Sequence, residues 1–274
     1  MNTEFETLKV SLENETLWVT LNRPERLNAL SRTLVEELRG LFVELYWKHE
    51  IRTVVLRGAG ANFCAGLDLK EASTSNEGGP RRGPGAGLVA QRRISEIVIA
   101  MRRCPQPIIS LIDGSAAGGG FALTLASDVR IGTPTMRGNA AFIKIGLSAC
   151  DIGVSYFLPR MVGASVAAEL MLTGRFLTAE RALALGFVSK IVPASLLEAE
   201  ARALLAEMHA TTPLGLRLTK EALNFAIDAP GLEAAIAMED RNQILASGGE
   251  DFGEGVRAFL EKRPPVYGAA KAGG

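Results

Sequence analysis

The sequence predicts an α/β protein with a parallel sheet covered by helices and a helical part at its C-terminal end. Three observations carry this expectation. Runs rich in Val, Leu, Ile and Thr alternate with segments of helical period between residues 16 and 132. Several of those runs are almost continuously apolar, as in strands buried on both faces and joined by crossovers. From residue 153 onward the helical period takes over.

The elements follow in order. "TLWVTLN" (16–22) and "IRTVVLRG" (51–58) read as strands closed by Asn-Arg-Pro and Gly-Ala-Gly. Between them Leu34, Leu38, Leu41, Phe42 and Leu45 recur at helical spacing behind Ser31, a side chain suited to an N-cap. Residues 87–103 put Ile94, Ile97, Val98 and Met101 on one helical face, and "QPIISLID" (106–113) continues as an apolar strand. A further helix and the short strand "DVRIG" (128–132) come next. In the helical half one strand is expected at "FVSKIV" (187–192), then a stripe of Leu197, Ala201, Leu204, Leu205 and Met208, then three helical segments over 213–260. This divides the chain into an α/β core (1–192) and a helical C-terminal region (193–274). "STSNEGGPRRGPGAG" (73–87) has nothing to anchor a core and reads as a mobile loop.

Composition excludes several classes of function. Thirty basic and thirty acidic residues give a formal net charge of zero, so neither nucleic acid nor an anionic membrane is expected as partner. No apolar run approaches the roughly 18 residues of a membrane span. Cys64, Cys104 and Cys150 form no ligand spacing, and their odd number without a signal peptide points to free thiols in a reducing, cytoplasmic setting. No metal site is indicated. His49 and His209 each sit near the end of a helical pattern, where a solvated or dipole-facing role is expected, and they are too few for a Ser-His-Asp hydrolase.

The most informative stretch is "DGSAAGGGFALTLASD" (113–128). A strand, three consecutive glycines and a helix near Phe121 place unsatisfied N–H groups at a positive helix end, with no side chain to hold a ligand off. Neither GxGxxG nor a P-loop lysine is present. "ANFCAGLDLKEA" (61–72) offers a second tight turn at a strand end, where ligands of open α/β sheets gather. Two such loops can aim one N–H each, from Ala65 and Gly119, at a single oxygen, which is the geometry of an oxyanion hole. A purely structural turn is the alternative.

At these residues the sequence resembles the crotonase superfamily, the enoyl-CoA hydratase/isomerase family. The matching stretches are "LNRPERLNAL" (21–30), "FCAGLDL" (63–69), "DGSAAGGGFALTLASDVRI" (113–131), "IGLSACDIGVSYFLPRMVG" (145–163), "LTGRFLTAERALALGFVSKIV" (172–192) and "FLEKRPPVYG" (259–268), in family order over nearly the whole chain. The resemblance implies a core of repeated ββα units, a helical C-terminal trimerisation region, a homotrimer or dimer of trimers, and a CoA thioester as substrate with no further cofactor. It implies that Ala65 and Gly119 hold the thioester oxygen, each such donor being worth about 3 kcal/mol in rate. It also implies CoA contacts at Arg26, Leu27, Ala29, Leu67, Asp68 and Leu69, and at Lys262 and Tyr267 of a neighbouring subunit. Arg26 and Lys262 read equally as solvated charge, and Asp68 as a loop-shaping residue.

The sequence departs from the family pattern at the two glutamates between which its hydratases hold water. Those positions are Ala122 and Phe142, which become expected acyl-pocket residues. Asp151 falls where certain Δ3,Δ2-enoyl-CoA isomerases and dienoyl-CoA isomerases carry an acid, and where 4-chlorobenzoyl-CoA dehalogenase carries its nucleophile. One carboxylate suffices to move a double bond. Alternatively Asp151 caps the helix starting near Gly153, and its acidity depends on whether the helix end or apolar neighbours dominate. Hydration, isomerisation, another CoA-thioester reaction and a non-catalytic acyl-CoA binder all remain open at this point. Asp128 is expected to be structural, and Cys64 and Cys150 to pack.

Overall fold

The computed structural model describes residues 4–74 and 83–268. The chain opens with β1 (Leu8–Glu13) and β2 (Thr16–Leu21), then α1 (Arg32–Leu45), β3 (Thr53–Gly58), α2 (Leu69–Thr74) and α3 (Pro84–Arg103). β4 (Ile108–Ile112), β5 (Ser115–Ala117) and α4 (Gly119–Ala126) form a ββα unit. β6 (Val129–Gly132) and β7 (Arg137–Asn139) lead into α5 (Val154–Val162). α6 (Ala164–Thr173), β8 (Leu177–Thr178), α7 (Ala179–Ala184) and β9 (Lys190–Ile191) follow, and the chain ends in α8 (Leu197–His209), α9 (Pro213–Ala226), α10 (Leu232–Ser247) and α11 (Glu250–Glu261).

The main sheet runs in the order β1-β2-β3-β4-β6-β9, parallel throughout except for β1, which pairs antiparallel with β2. The period of two explains how it is covered. Leu17, Val19, Leu21, Val54, Leu56, Ile108 and Ile112 face a large core shared with α1, α3 and α4. Their neighbours Trp18, Val55, Ile109 and Leu111 face the other way, onto Leu197, Ala201 and Leu205 of α8. Burial on both faces is why these strands read as continuous apolar runs. α1 starts where its cap predicts, with Ser31 Oγ accepting from the Leu34 N–H at 3.1 Å, and all five of its predicted apolar positions are buried.

A second, three-stranded sheet, β5-β7-β8, was not expected from the sequence, nor was β1. The expected strand at 187–192 shrinks to two residues, because Phe187 and Val188 turn into the core instead of extending. The 73–87 stretch lies largely outside the described residues. From Pro84 the chain is already helical, with proline in the first turn where its missing N–H costs nothing.

The C-terminal helices are tied to the core by a buried cation. Lys220 on α9 is 4% exposed and donates to the Met101 carbonyl (3.1 Å) and the Gln106 carbonyl (2.7 Å), with the Asp128 carboxylate at 2.9 Å. Asp128 also accepts from Arg102 and the Ile108 N–H, which confirms its structural role. Truncating one partner of such a pair leaves the other charge buried. Lys220→Ala is therefore expected to lower stability by about 3 kcal/mol, read as a lower urea midpoint with an unchanged slope.

Candidate active site

The site is assembled where β3 and β4 end. The turn after β2 contains Leu27 and Asn28, both left-handed (φ 52° and 55°). Asn28 is fully buried and its amide holds three backbone groups, accepting from Arg23 N–H and donating to the Ala59 and Asn62 carbonyls. Arg23 reaches across to Asp68 at 2.9 Å. Asp68 is 7% exposed and also accepts from the Glu71 N–H. Burial opposes its ionisation, but Arg23, the Glu71 amide and the charge of Arg26 outweigh it and hold the carboxyl below the usual aspartate range. Asp68 is thus tied into the loop by the Arg23 guanidinium and the Glu71 N–H, in keeping with its loop-shaping reading.

The 64–69 loop docks against the glycine turn through Cys64. Cys64 N–H donates to the Ser115 carbonyl, and Ala117 N–H donates to the Cys64 carbonyl at 2.9 Å. A Cβ on Gly120 would stand 2.2 Å from that carbonyl oxygen, so no side chain fits there. Gly118, at φ 50° and ψ −116°, occupies backbone space open only to glycine. A Cβ on Gly66 would lie 3.4 Å from the Gly119 nitrogen, which sets the two loops side by side.

The free donors differ in part from expectation. Ala65 N–H donates to the Leu27 carbonyl at 3.0 Å, so it is not available to a ligand, and Gly66 N–H is turned to the Cys64 sulfur. The Leu67 N–H has no hydrogen-bond partner among the described residues. Neither has Gly119 N–H, at the opening of α4, where the first intrahelical bond comes only from Ala122 N–H to the Gly118 carbonyl. Leu67 and Gly119 are therefore free amides on the two adjoining loops. The left-handed Leu27 turn, which the sequence does not reveal, decides this by presenting its carbonyl to Ala65.

Apolar groups lie beside Gly118 and Gly119, and a second acid, Asp151, adjoins one of them in the chain. The Phe142 ring is 3.5 Å from where a Gly118 Cβ would be, and Ile152 is 3.7 Å from the corresponding point of Gly119. Ala122 is fully buried in a helix with no exposed residue. Asp151, next to Ile152, is half-buried and does not cap α5 with its side chain. Its Oδ1 instead accepts from the Ile152 N–H (2.8 Å) and from Gln91 Nε2 on α3 (2.5 Å), while Oδ2 has no partner among the described residues. Burial pushes its carboxyl above the usual range, against the pull of those two donors. Ile152 is left-handed (φ 36°), an uncommon state for a β-branched residue, and this bend presents its N–H to the carboxylate.

The sequence pattern of the enoyl-CoA hydratase/isomerase family matches residues 12–270. The chain belongs to this family. Among its relatives, a Mycobacterium leprae protein named "Probable enoyl-CoA hydratase echA12" is 38% identical over 92% of this chain and 86% of its own. The 1,2-epoxyphenylacetyl-CoA isomerase of Escherichia coli is 34% identical over 93% and 96%. The crystal structure of an enoyl-CoA hydratase from Bacillus anthracis superposes with a TM-score of 0.88 at 32% identity, covering 96% of this chain and 99% of that one. The fold of this hydratase/isomerase family member is thus the crotonase-like α/β core with helical C-terminal region that the resemblance implies.

The remaining expected residues are placed as follows. Leu27, Leu67 and Leu69 are exposed (51%, 42% and 49%) and Arg26 is exposed beside them, forming an open apolar surface next to the free amides. Ala29 is buried, its carbonyl accepting from Arg23. Lys262 ends α11 in a left-handed cap, and the Tyr267 hydroxyl folds back to within 2.9 Å of where a Gly255 Cβ would stand. Cys64 packs as expected, its thiol pushed up to about 12 by burial. Cys150 does not: its thiol is exposed, because the 143–148 segment before it lies on the surface. Gln91, Asn28, Arg23 and Ile152 are site-building residues that sequence reasoning missed.

The Gly120 contact has a direct consequence. Gly120→Ala is expected to lower stability by about 3 kcal/mol, since the added carbon would meet the Cys64 carbonyl oxygen, carbonyl carbon and Cβ, none of which can swing aside. Gly40→Ala in α1, where nothing lies within 4 Å of the added carbon, is expected to raise it by about 0.5–1 kcal/mol in the same denaturation assay.

Proposed function

We propose that this family member is an acyl-CoA enzyme that moves a double bond between C3 and C2 of an enoyl-CoA thioester, with Asp151 as its single base. The observation that carries the reading is the combination of Asp151, its Oδ2 unpartnered, with Ala122 and Phe142 at the positions where a hydratase would hold water. The amides of Leu67 and Gly119 receive the thioester oxygen. Charge that develops there meets two donors held rigid by the Cys64–Gly120 joint, so little reorganisation accompanies enolate formation. Asp151 Oδ2 takes the proton from C2 of the 3-enoyl thioester, the electrons spread into a dienolate, and the same oxygen returns the proton to C4. A carboxyl raised by burial is a stronger base than a solvated one.

Other observations support the wider setting. The exposed leucines around Arg26 suit the pantetheine of CoA, with Arg26 placed for a phosphate. Leu232, Ile244 and Leu245 on α10 and Phe259 and Leu260 on α11 are between 61% and 83% exposed, an apolar surface that favours the homotrimer or dimer of trimers. Hydration is the competing reaction, favoured by the names of relatives such as those of M. leprae and B. anthracis. It needs a second acid to place water, and Phe142 cannot supply one. The name of the E. coli relative, an isomerase, agrees with the single-base reading.

The deciding assay follows 3-enoyl-CoA isomerisation and 2-enoyl-CoA hydration in parallel for wild type and Asp151→Asn. Isomerisation is expected to fall by about 10²–10⁴-fold in the variant, with hydration weak in both. Hydration that is robust and survives in Asp151→Asn overturns the assignment. Tight CoA-ester binding without turnover in either assay identifies a binder instead.

A further inference from the structure

We propose that Gln91 is a positioning residue for Asp151: its side-chain amide, delivered from α3, fixes the carboxylate in one orientation and reserves Oδ2 for the proton. This rests on the reading of Asp151 as the base. Both donors that reach Asp151 converge on Oδ1, Gln91 Nε2 at 2.5 Å and the Ile152 N–H at 2.8 Å. The last torsion of an aspartate is broad and nearly two-fold, so a carboxylate held by one donor exchanges its oxygens readily. A second donor from a different element removes that freedom. It leaves a single bare oxygen, which suits a base that must reach two carbons of one substrate in turn.

α3 is a firm support for this contact. Ile97, Val98 and Met101 bury its C-terminal half, and Val98 Cγ1 lies 3.5 Å from where a Gly153 Cβ would stand. The face carrying Gln91, Ile94 and Val98 therefore runs along the 151–157 segment. Gln91 sits one to two turns before the buried part, and its carbonyl accepts from Ser95 Oγ at 3.1 Å. The side chain is placed by a packed helix and not by a free loop.

Among the described residues, no charged group hydrogen-bonds to Asp151. On α3, Arg93 and Glu96 pair with Glu36 and Arg39 of α1, and Arg92 is exposed. On α5, Tyr156 and Arg160 both bond Asp228. Lys144 and Cys150, on the segment preceding Asp151, are exposed and make no hydrogen bond to it. A neutral amide donating to a carboxylate favours the ionised form, so Gln91 counteracts the effect of burial and keeps the base ionised at lower pH.

The test uses two variants with opposite signs on the full chain. Gln91→Met keeps the length and loses the donor, whereas Gln91→Lys adds a cation. The carboxyl of Asp151 is titrated by ¹³C NMR, its resonance identified by its loss in Asp151→Asn. Gln91→Met is expected to raise its pKa by about 1 unit and Gln91→Lys to lower it by a similar amount. The acid limb of the isomerase rate profile should move with each, and kcat should fall by about tenfold in Gln91→Met with KM within about twofold of wild type. Equal titration in all three proteins, or shifts in the same direction, overturns the proposal, since general loosening of the helix cannot produce opposite shifts. The two readings fail separately. Opposite titration shifts combined with full isomerase activity in Asp151→Asn uphold the contact and overturn the base assignment. A titration indifferent to Gln91 overturns the positioning role whatever Asp151→Asn does.

Discussion

The site depends on one close approach, that of the Cys64 carbonyl to Gly120. The oxygen lies 2.2 Å from where a side chain would begin, and the same oxygen accepts from Ala117 N–H. This joint locks the end of one strand-and-loop unit to the start of the next. It lets Gly119 open a helix beside Leu67 with both amides uncovered. Electrostatic stabilisation of a developing charge requires donors that do not have to move, and a backbone contact without side chains is the stiffest way to hold them. The Arg23–Asp68 pair and the Asn28 amide do the same for the outer loop, so that two polar clamps and one steric contact define the orientation of both donors.

The acid is held by different means. Asp151 is placed by a bend in its own backbone, with Ile152 left-handed, and by an amide that arrives from α3. In the proposed reaction, oxygen binding and proton handling therefore belong to separate parts of the fold, one to strand ends and one to the α3–α5 pair. Ile152 touches both, since its N–H faces the carboxylate and its side chain lies against Gly119.

Much of this was legible in the sequence, for physical reasons that can be named. Ser31 with Leu34, Leu38, Leu41, Phe42 and Leu45 specified α1 because cap and period agree. The apolar runs specified β2, β3 and β4 because both faces of that sheet are covered. β1 escaped notice because it is an edge strand with exposed Leu12, and β5, β7 and β8 are two or three residues long, too short to show a period. The glycine turn announced a bare backbone, yet which amide of the 64–67 loop stays free depends on the Leu27 carbonyl, a long-range contact with no local signature. Gln91 was invisible for the same reason, its partner being 60 residues away.

Ala122 bears on how reversible the present arrangement is. It has no exposed surface and sits on a helix that is buried all round. Placing a glutamate there would require room for four further heavy atoms in a packed interior and a partner for a charge that now has none. The methyl group is thus entrenched: the neighbours have closed over it, and a single substitution back to an acid would have to reshape the wall before it could change the chemistry. A corner frozen by glycine beside a helix sealed at alanine leaves half-buried Asp151 as the more accessible part of this site.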